Sequence, residues 1–261
     1  MKQTILSLFF SIASTLSIVA GGQHAVDVVL MGDSNTWLGG DSCTDSRGWS
    51  RWFAEAFRPN TCVSYARSGA TWTNTSATTY DITEYSEVIT DNNVIYNQIN
   101  RLATDIRCHG KPVPHVVIIM AGTNDAWFSA RRPGMWQPTS FSAFQGTTDS
   151  IKASCCTSLE ASVSLACQMI KGIAPSSRLV LVTPMQSSRI PQTDISRVAD
   201  CIDRCGKRHG AMVVRLDKEG CVKTSVESRQ HKYTTDGVHT SVAGARRVGL
   251  FLSRRIANGL L

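Results

Sequence analysis

The sequence predicts an α/β fold in which helices cover both faces of a parallel sheet. Short apolar runs of strand length recur along the chain, and segments with the 3.6-residue period of amphipathic helices separate them. The composition agrees, because 42% of the 261 residues are hydrophobic and 18% are charged, as in ordinary globular proteins. This balance excludes a disordered, collagen-like or polytopic membrane chain.

Five apolar runs are the candidate strands. Crossovers between parallel strands usually carry a helix and are almost always right-handed, so five such strands build a three-layer α/β/α sandwich. This is a five-stranded parallel sheet of the flavodoxin-like kind, in which ligands bind outside the carboxyl ends of the strands. The runs cover residues 26–31, 62–66, 115–121, 178–183 and 211–216.

Five further segments show the helical period. In the first, large apolar residues lie at i, i+3, i+4, i+7 and i+8, so its Trp49 and Trp52 are expected in the core. In the second, an apolar stripe ends shortly before Gly110, which suits a helix C-terminus. The predicted helices cover residues 49–57, 95–106, 157–172, 195–208 and 241–257.

Residues 1–20 are predicted to be a secretory signal peptide. After Lys2, residues 4–20 form an uncharged stretch of 17 residues that ends in small side chains. A helix of that length spans roughly 25 Å, less than the roughly 30 Å hydrocarbon core of a bilayer. The mature chain, residues 21–261, is expected to be a single domain, secreted or periplasmic, without stable membrane insertion. An uncleaved N-terminal anchor is the alternative.

The chain is moderately basic, with 27 Lys and Arg, 20 Asp and Glu, and a formal net charge of +7. This balance suits solubility or weak attraction to polyanions such as acidic polysaccharides, and it does not indicate a nucleic-acid-binding protein. We expect a monomer. Four arginines of the last predicted helix are interpreted as a solvated helix face: Arg246, Arg247, Arg254 and Arg255.

Nine cysteines, an odd number, leave at least one thiol unpaired if an exported chain forms disulfides. Cys201 and Cys205 are one helical turn apart, where Cβ atoms lie about 5 to 6 Å from each other, too far for a bridge. The pairing of the other cysteines is left open. Because the sequence has no C-x2-C pair and no clustered histidines, we expect no bound metal.

Polar residues follow the first and third candidate strands where each apolar run ends. Ser34 ends the stretch Val-Leu-Met-Gly-Asp-Ser, and Asn124 ends the stretch Ile-Met-Ala-Gly-Thr-Asn. Carboxyl ends of parallel strands meet at one edge of a sheet, so these side chains are expected to lie close together. Gly69 follows the second strand, and Asp236 and His239 stand three residues apart before the last helix.

These residues are of the types that acyl transfer to a hydroxyl nucleophile requires. Ser34 would attack, His239 would take its proton, and Asp236 would fix the imidazole tautomer. The N–H groups of Ser34 and Gly69 and the side chain of Asn124 would stabilise the oxyanion. Such chemistry needs no metal or organic cofactor.

The four blocks resemble those of the SGNH hydrolases, also called GDSL-like esterases, which are named for the Ser, Gly, Asn and His that they share. Residues 32–35 resemble the nucleophile block, Gly69 the second, residues 122–125 the third and residues 236–239 the last. Order and spacing agree across residues 26–258.

The resemblance implies the SGNH hydrolase fold, with one catalytic domain over residues 21–261, and a cofactor-free ester hydrolase that uses the residues in the roles described above. Asn35 is a departure, since the name GDSL has Leu there, but Asn is common among sugar-directed members. The family includes polysaccharide acetylesterases, lipases, thioesterases and lysophospholipases, so the resemblance alone leaves the substrate open.

Tryptophans supply the one sequence signal about the substrate. Trp37, Trp72 and Trp127 each lie three residues after Ser34, Gly69 or Asn124, so all three are expected to rim the site. Exposed aromatic rings suit the faces of sugars, whereas an acyl-chain groove would more often be aliphatic. Packing of the loops is the competing interpretation. Trp136 is a candidate for a further wall of the cleft.

The sequence thus predicts a serine esterase that removes short acyl groups, most simply acetyl, from a carbohydrate. A lipid or thioester hydrolase of the same mechanism is the alternative, and a carbohydrate-binding protein without turnover is the third. Asp33 and Asp125 are expected to brace turns through hydrogen bonds to the backbone. Two stretches without periodicity, residues 73–93 and 128–149, are candidate walls of the cleft.

Overall fold

A parallel sheet runs through the centre of the computed structural model, which describes residues 24–138 and 152–260. Its strands are β1 (His24–Gly32), β2 (Pro59–Ser64), β3 (Val116–Met120), β4 (Arg178–Val182) and β5 (Met212–Val214). Their order across the sheet is β2-β1-β3-β4-β5, and every neighbouring pair is parallel. The predicted five-stranded flavodoxin-like sheet is confirmed.

The predicted signal peptide, residues 1–20, and the second half of the predicted loop 128–149 lie outside the described residues. Within the described ranges, no helix combines the length and the apolar character that crossing a bilayer would require.

Helices fill the connections between the strands. The five predicted helices are present, and each observed end lies within three residues of its predicted position. Four short helices were not predicted, and two of these follow β1 and β3 directly. The helices are α1 (Ser34–Trp37), α2 (Trp49–Phe57), α3 (Ile95–Cys108), α4 (Thr123–Trp127), α5 (Leu159–Ile173), α6 (Gln192–Arg208), α7 (Leu216–Glu219), α8 (Thr224–Gln230) and α9 (Val242–Leu260).

The sheet separates two hydrophobic cores. Successive side chains of a strand point to opposite faces, and β3, which is buried throughout, contributes to both cores. Ile118 packs with the side chains of α2 and α9 on one face, including Phe53 and Leu252. Ile119 packs with those of α3, α5 and α6 on the other face, including Ile99. This arrangement is the predicted three-layer sandwich.

The edge strand β2 begins and ends earlier than predicted. The apolar run predicted residues 62–66, whereas the strand is Pro59–Ser64. Its first half carries exposed polar side chains such as Asn60 and Thr61, because β2 has a neighbour on one side only. Exposed positions of an edge strand have no apolar signal, so a hydrophobicity pattern misses them.

Helices α2 and α9 approach each other closely on one face of the sheet. A Cβ atom at Gly249 would lie 2.4 Å from the carbonyl oxygen of Trp49, so only glycine fits there. Trp49 is fully buried, as predicted. Trp52 is only partly buried, and its indole N–H donates to the Ser46 carbonyl oxygen (3.0 Å), so the prediction of a core position was wrong for this residue.

All nine cysteines lie in the described residues and are free thiols in this structure. Cys201 and Cys205 sit one turn apart on α6 and contact each other without a bridge, in agreement with the spacing argument. Cys43 and Cys62 also contact each other, where the segment after α1 packs against β2.

Candidate active site

The nucleophile turn is built at the carboxyl end of β1, against the end of β3. A Cβ atom at Gly32 would lie 2.1 Å from the Met120 carbonyl oxygen. The two strand ends are therefore so close that only glycine fits at position 32. Asp33 then caps α1 by accepting the N–H of Asn35 at 3.1 Å. Ser34 is the first residue of this helix and is 6% exposed.

Ser34, His239 and Asp236 form a continuous hydrogen-bonded chain. The Ser34 Oγ lies 2.9 Å from His239 Nε2, and His239 Nδ1 lies 2.7 Å from Asp236 Oδ2. With the Nδ1 proton donated to the carboxylate, Nε2 is free to accept the Ser34 hydroxyl proton. This is the geometry by which a base activates a serine while a carboxylate orients the base.

The carboxylate of Asp236 is held in its ionised form. Burial alone would raise its pKa, but the hydrogen bonds that it accepts from the His239 ring and from the N–H groups of His239 and Val238 outweigh burial. The backbone N–H distances are 2.8 Å for His239 and 2.9 Å for Val238. The pKa of Asp236 therefore lies below its ordinary value, and the group stays available to stabilise an imidazolium.

A buried carboxylate anchors the loop that carries Asp236 and His239. Glu227 on α8 is fully buried and accepts the N–H of Tyr233 at 2.9 Å, the N–H of Thr234 at 3.0 Å and the Thr234 hydroxyl at 2.6 Å. Bridge pairing between Thr234 and Thr240 then closes the loop. Glu227 was not predicted from the sequence, because nothing in its neighbours distinguishes it from a solvated surface glutamate.

Hydrogen bonds between their neighbours tie the four motif blocks together. The Thr123 N–H donates to Asp33 Oδ2 at 3.3 Å and joins the first block to the third. The Thr240 N–H donates to Asn35 Oδ1 at 3.3 Å and joins the last block to the first. Asn124 Nδ2 donates to the Ala70 carbonyl oxygen at 2.9 Å and joins the third block to the second, so the structure brings the four predicted blocks to one edge of the sheet.

Gln98, which was likewise not predicted as a site residue, connects the nucleophile turn to α3. It is fully buried, and its side-chain amide forms two hydrogen bonds with the Gly32 backbone. The amide accepts the Gly32 N–H at 2.9 Å and donates to the Gly32 carbonyl oxygen at 2.8 Å. A signal existed, since Gln98 lies three residues after Ile95 and interrupts the apolar face of the predicted helix.

Three N–H donors are available for an oxyanion at this edge. The backbone N–H groups of Ser34 and Gly69 donate to no carbonyl among the described residues. Asn124 Nδ2 donates one hydrogen to the Ala70 carbonyl oxygen at 2.9 Å, which orients the amide and leaves its second hydrogen available.

The backbone conformation and packing at position 69 require glycine. Its φ of +80° is in the left-handed region, and a Cβ atom there would lie 2.8 Å from the backbone of Val88. The segment around Val88 therefore leaves no room for a larger residue at this position.

Asp33 and Asp125 brace turns, as predicted. Asp125 is 1% exposed and accepts the N–H groups of Trp72 and Thr73 at 2.9 Å each, together with the Thr73 hydroxyl. Asp33 is equally buried and accepts backbone N–H groups from the first and third blocks. Burial raises the pKa of Asp33 to about 6 despite these hydrogen bonds.

The tryptophans separate into exposed and buried ones. Trp127, the last residue of α4, is 42% exposed and stacks on Phe128, and Trp37 at the end of α1 is partly exposed. Trp72 is 1% exposed and packs in the core beside α3 and α5, because Asp125 holds its backbone and its indole points inward. The expectation that Trp72 rims the site was wrong.

Trp136 lies away from the predicted catalytic residues. The Arg197 guanidinium of α6 sits 3.8 Å from the centre of its ring, and the two residues line a cavity with Glu160 and Cys201. Across the part of the chain that the structure describes, no three His, Cys, Asp or Glu side chains converge as they would around a metal ion.

Comparison with solved structures shows that the fold is shared. A lipase/acylhydrolase from Enterococcus faecalis is 18% identical over 90% of this chain and 96% of that chain, with a TM-score of 0.54. An acetylxylan esterase from Geobacillus stearothermophilus, Axe2, is 15% identical over 89% of this chain and 94% of that chain, with a TM-score of 0.55. A third, the acetyl xylan esterase AlAXEase, is 16% identical over 90% of this chain and all of that chain, with a TM-score of 0.54. No curated protein shows significant sequence similarity.

The family itself is shown by the sequence. The model of the GDSL-like Lipase/Acylhydrolase family matches residues 30–247, most of the chain and all four motif blocks. The predicted resemblance is therefore confirmed. The chain belongs to the GDSL-like lipase/acylhydrolase family, the SGNH hydrolases, and is an ester-cleaving hydrolase.

Proposed function

We propose that the protein is a serine esterase that hydrolyses short acyl esters, most simply acetyl, on carbohydrate. The observation that carries this proposal is the hydrogen-bonded chain from Ser34 through His239 to Asp236, with contacts of 2.9 and 2.7 Å. Three donors at the same edge of the sheet complete the set that acyl transfer uses.

Acylation begins when Ser34 Oγ attacks the ester carbonyl carbon and His239 Nε2 takes the hydroxyl proton. Asp236 stabilises the imidazolium through the Nδ1 hydrogen bond. The carbonyl oxygen becomes an oxyanion, and the N–H groups of Ser34 and Gly69 and the free hydrogen of Asn124 Nδ2 stabilise it. The bond to the sugar oxygen then breaks, and His239 gives its proton to that oxygen.

Deacylation repeats these steps with water. His239 Nε2 takes a proton from a water molecule, whose oxygen attacks the acyl-Ser34 carbonyl carbon. When the second tetrahedral intermediate collapses, the proton returns to Ser34 Oγ and the carboxylic acid leaves. Each residue ends the cycle in its starting protonation state.

Exposed aromatic rings beside the catalytic residues support a carbohydrate as the alcohol part of the ester. Trp37 ends the short helix that begins with Ser34, and Trp127 ends the one that contains Asn124, so each lies about one helical turn along the backbone from a residue of the proposed chemistry. Flat exposed rings suit the faces of sugars. Two solved structures of the same fold are of acetyl xylan esterases, which agrees with this substrate class.

The test measures hydrolysis by the parent, Ser34→Ala and a control, Ser176→Ala. Ser176 is exposed at the opposite edge of the sheet, beside the start of β4. We expect the parent to cleave p-nitrophenyl acetate and release acetate from acetylated polysaccharides, and Ser34→Ala to lose on the order of 10³-fold or more in kcat. Ser176→Ala should match the parent.

Three results would change or contradict the proposal. A preference for esters of eight or more carbons would assign the same mechanism to a lipid or thioester substrate. Binding of a glycan without cleavage of any ester would identify a carbohydrate-binding protein. Full activity of Ser34→Ala would remove Ser34 from the mechanism.

The export of the chain is a separate proposal, which rests on the uncharged stretch at residues 4–20. We expect the mature protein to be secreted or periplasmic and monomeric. N-terminal sequencing of protein recovered outside the cytoplasm should find a new terminus near Gly21, and sedimentation should give the mass of one chain. An intact Met1 on cell-associated protein would contradict cleavage.

A further inference from the structure

Charge is distributed unevenly along the chain. Residues 24–138 carry 9 Lys and Arg against 11 Asp and Glu, whereas residues 152–260 carry 17 Lys and Arg against 8 Asp and Glu. The candidate active site is assembled from both parts, because Ser34, Gly69 and Asn124 come from the first and His239 from the second. The two sides of the site therefore differ in their charge.

The Gly69 side is acidic. The segment packed against Gly69 carries Asp81, Glu84, Glu87 and Asp91, all at least partly exposed. Three arginines on this side are already engaged: Arg67 pairs with Asp41 at 2.7 Å, Arg101 is buried, and the partly buried Arg132 donates to the Thr71 hydroxyl at 3.0 Å. Arg67 and Arg101 also stack on the ring of Tyr85.

The His239 side carries four exposed cations, Arg189, Lys232, Arg246 and Arg247, which we call the basic wall. Lys232 precedes Tyr233, whose backbone N–H is bound by Glu227 at the base of the loop that carries His239. The side chain of Arg189 packs beside Gly237 of the same loop, since a Cβ atom there would lie 2.9 Å from Arg189 Cγ.

Aromatic rings position three members of the basic wall without neutralising them. Lys232 and Arg247 lie 5.4 and 5.0 Å from the centre of the Tyr233 ring, and Arg247 donates to the Tyr233 hydroxyl at 2.9 Å. Arg246 lies 5.5 Å from the centre of the Trp52 ring. No described carboxylate forms an ion pair with any of the four cations. Cations held beside rings in this way are preorganised for an anion.

We infer that the basic wall binds the carboxylates of an acidic polysaccharide whose acyl ester lies at Ser34. The substrate class is then an acylated glycan that contains uronic acids, rather than a neutral one. This inference rests on the proposed function and adds the charge of the substrate. Nucleic acid fits less well, because the wall's aromatic rings are covered by cations instead of being free to stack with bases.

The experiment compares release of acetate from acetylated polygalacturonate and from acetylated glucomannan, an acidic and a neutral polymer. The test variant is Lys232→Gln/Arg246→Gln/Arg247→Gln. The control is Lys171→Gln/Arg178→Gln, which removes two exposed cations at the opposite edge of the sheet. We expect the test variant to raise KM for the acidic polymer about tenfold relative to KM for the neutral one, because several exposed charge contacts are lost together. The control should behave as the parent does.

A second measurement needs no variant. Raising the salt concentration of the parent's assay from about 0.05 M to about 0.5 M should raise KM for the acidic polymer and leave KM for the neutral polymer nearly constant, because salt screens exposed charges. If the parent cleaves both polymers equally at all salt concentrations, the basic wall has no substrate role. Tighter binding of Ser34→Ala to duplex DNA than to polygalacturonate would also overturn the inference. Failure to cleave even p-nitrophenyl acetate would instead count against the proposed function.

Discussion

Two aspartates of the candidate active site illustrate how local environment decides the chemistry of a residue. Asp33 and Asp236 are the same residue type, yet burial raises the pKa of Asp33 to about 6 whereas hydrogen bonds lower the pKa of Asp236. Asp33 is fully enclosed and braces two turns, while Asp236 is half exposed and bonded to an imidazole. In the sequence, only the spacing of Asp236 from His239 distinguishes the roles of the two aspartates.

The buried Asp33 should make stability fall as pH rises. Its pKa in the folded state lies above the ordinary 3.8, so the folded state binds the proton more tightly. The tighter binding of this proton contributes roughly 2 to 3 kcal/mol to the free energy of unfolding below about pH 4. This contribution is lost as pH rises through about 6. Guanidinium unfolding of the parent and Asp33→Asn across this range should give free energies whose difference changes with pH. Parallel curves would contradict the raised pKa.

Asn124 should contribute to the rate rather than to the fold. Replacing it by Ala removes one oxyanion donor and is expected to lower kcat for p-nitrophenyl acetate by about 10²- to 10³-fold with little change in KM. Because its amide also donates to the Ala70 carbonyl oxygen, thermal unfolding of the variant is the control. An unchanged kcat would remove Asn124 from the proposed oxyanion site.

At the scale of the element, strand ends and helix starts position the catalytic groups. β1 and β3 each run directly into a one-turn helix, α1 or α4, whose first residues are Ser34 and Thr123. Such short helices have no periodicity that could predict them. Their positions follow instead from the parallel register of β1 and β3, which sets Gly32 opposite Met120.

Among the longer helices, α5 is stabilised by a side-chain cap as well as by its apolar face. Ser158 Oγ accepts the N–H of Ala161 at 3.1 Å at the start of α5, so it satisfies one of the unpaired donors of that helix. Ser158→Ala should lower the free energy of unfolding by about 1 kcal/mol, and Ser158→Asp should restore most of it. Urea unfolding measures both variants, and equal loss in both would show that the cap is not the cause.

At the scale of the whole molecule, one sheet joins two cores that should unfold together. Phe53 is fully buried on the α2 and α9 face and stacks on Phe57 with ring centres 4.9 Å apart. Phe53→Ala should lower the free energy of unfolding by about 3 to 5 kcal/mol through the cavity it leaves. Circular dichroism and tryptophan fluorescence should report the same single transition. The exposed Tyr80→Ala is the control, and a transition that splits in two would show that the faces unfold separately.

Local pattern alone determined the central sheet, its five long helices and the four blocks of the site. Apolar period is a property of neighbouring residues, and parallel strands bring their carboxyl ends to one edge, so position after a strand was enough to place Ser34 and Asn124 together. The exceptions are also local in origin. The bounds of β2 were predicted too late in the chain because an edge strand is only half apolar. The short helices were not predicted because they are too short to show a period.

Only the tertiary structure decided which groups touch. Ser34 and His239 are 205 residues apart, and their contact depends on Gln98, Glu227 and Asp33, which hold the turns from elements far away along the chain. The inward turn of Trp72 and the opposite charges of the two sides of the site are likewise set by packing. Sequence spacing carries no information about side-chain direction once the chain leaves regular structure, because the direction is then fixed by whichever distant group supplies the hydrogen bond.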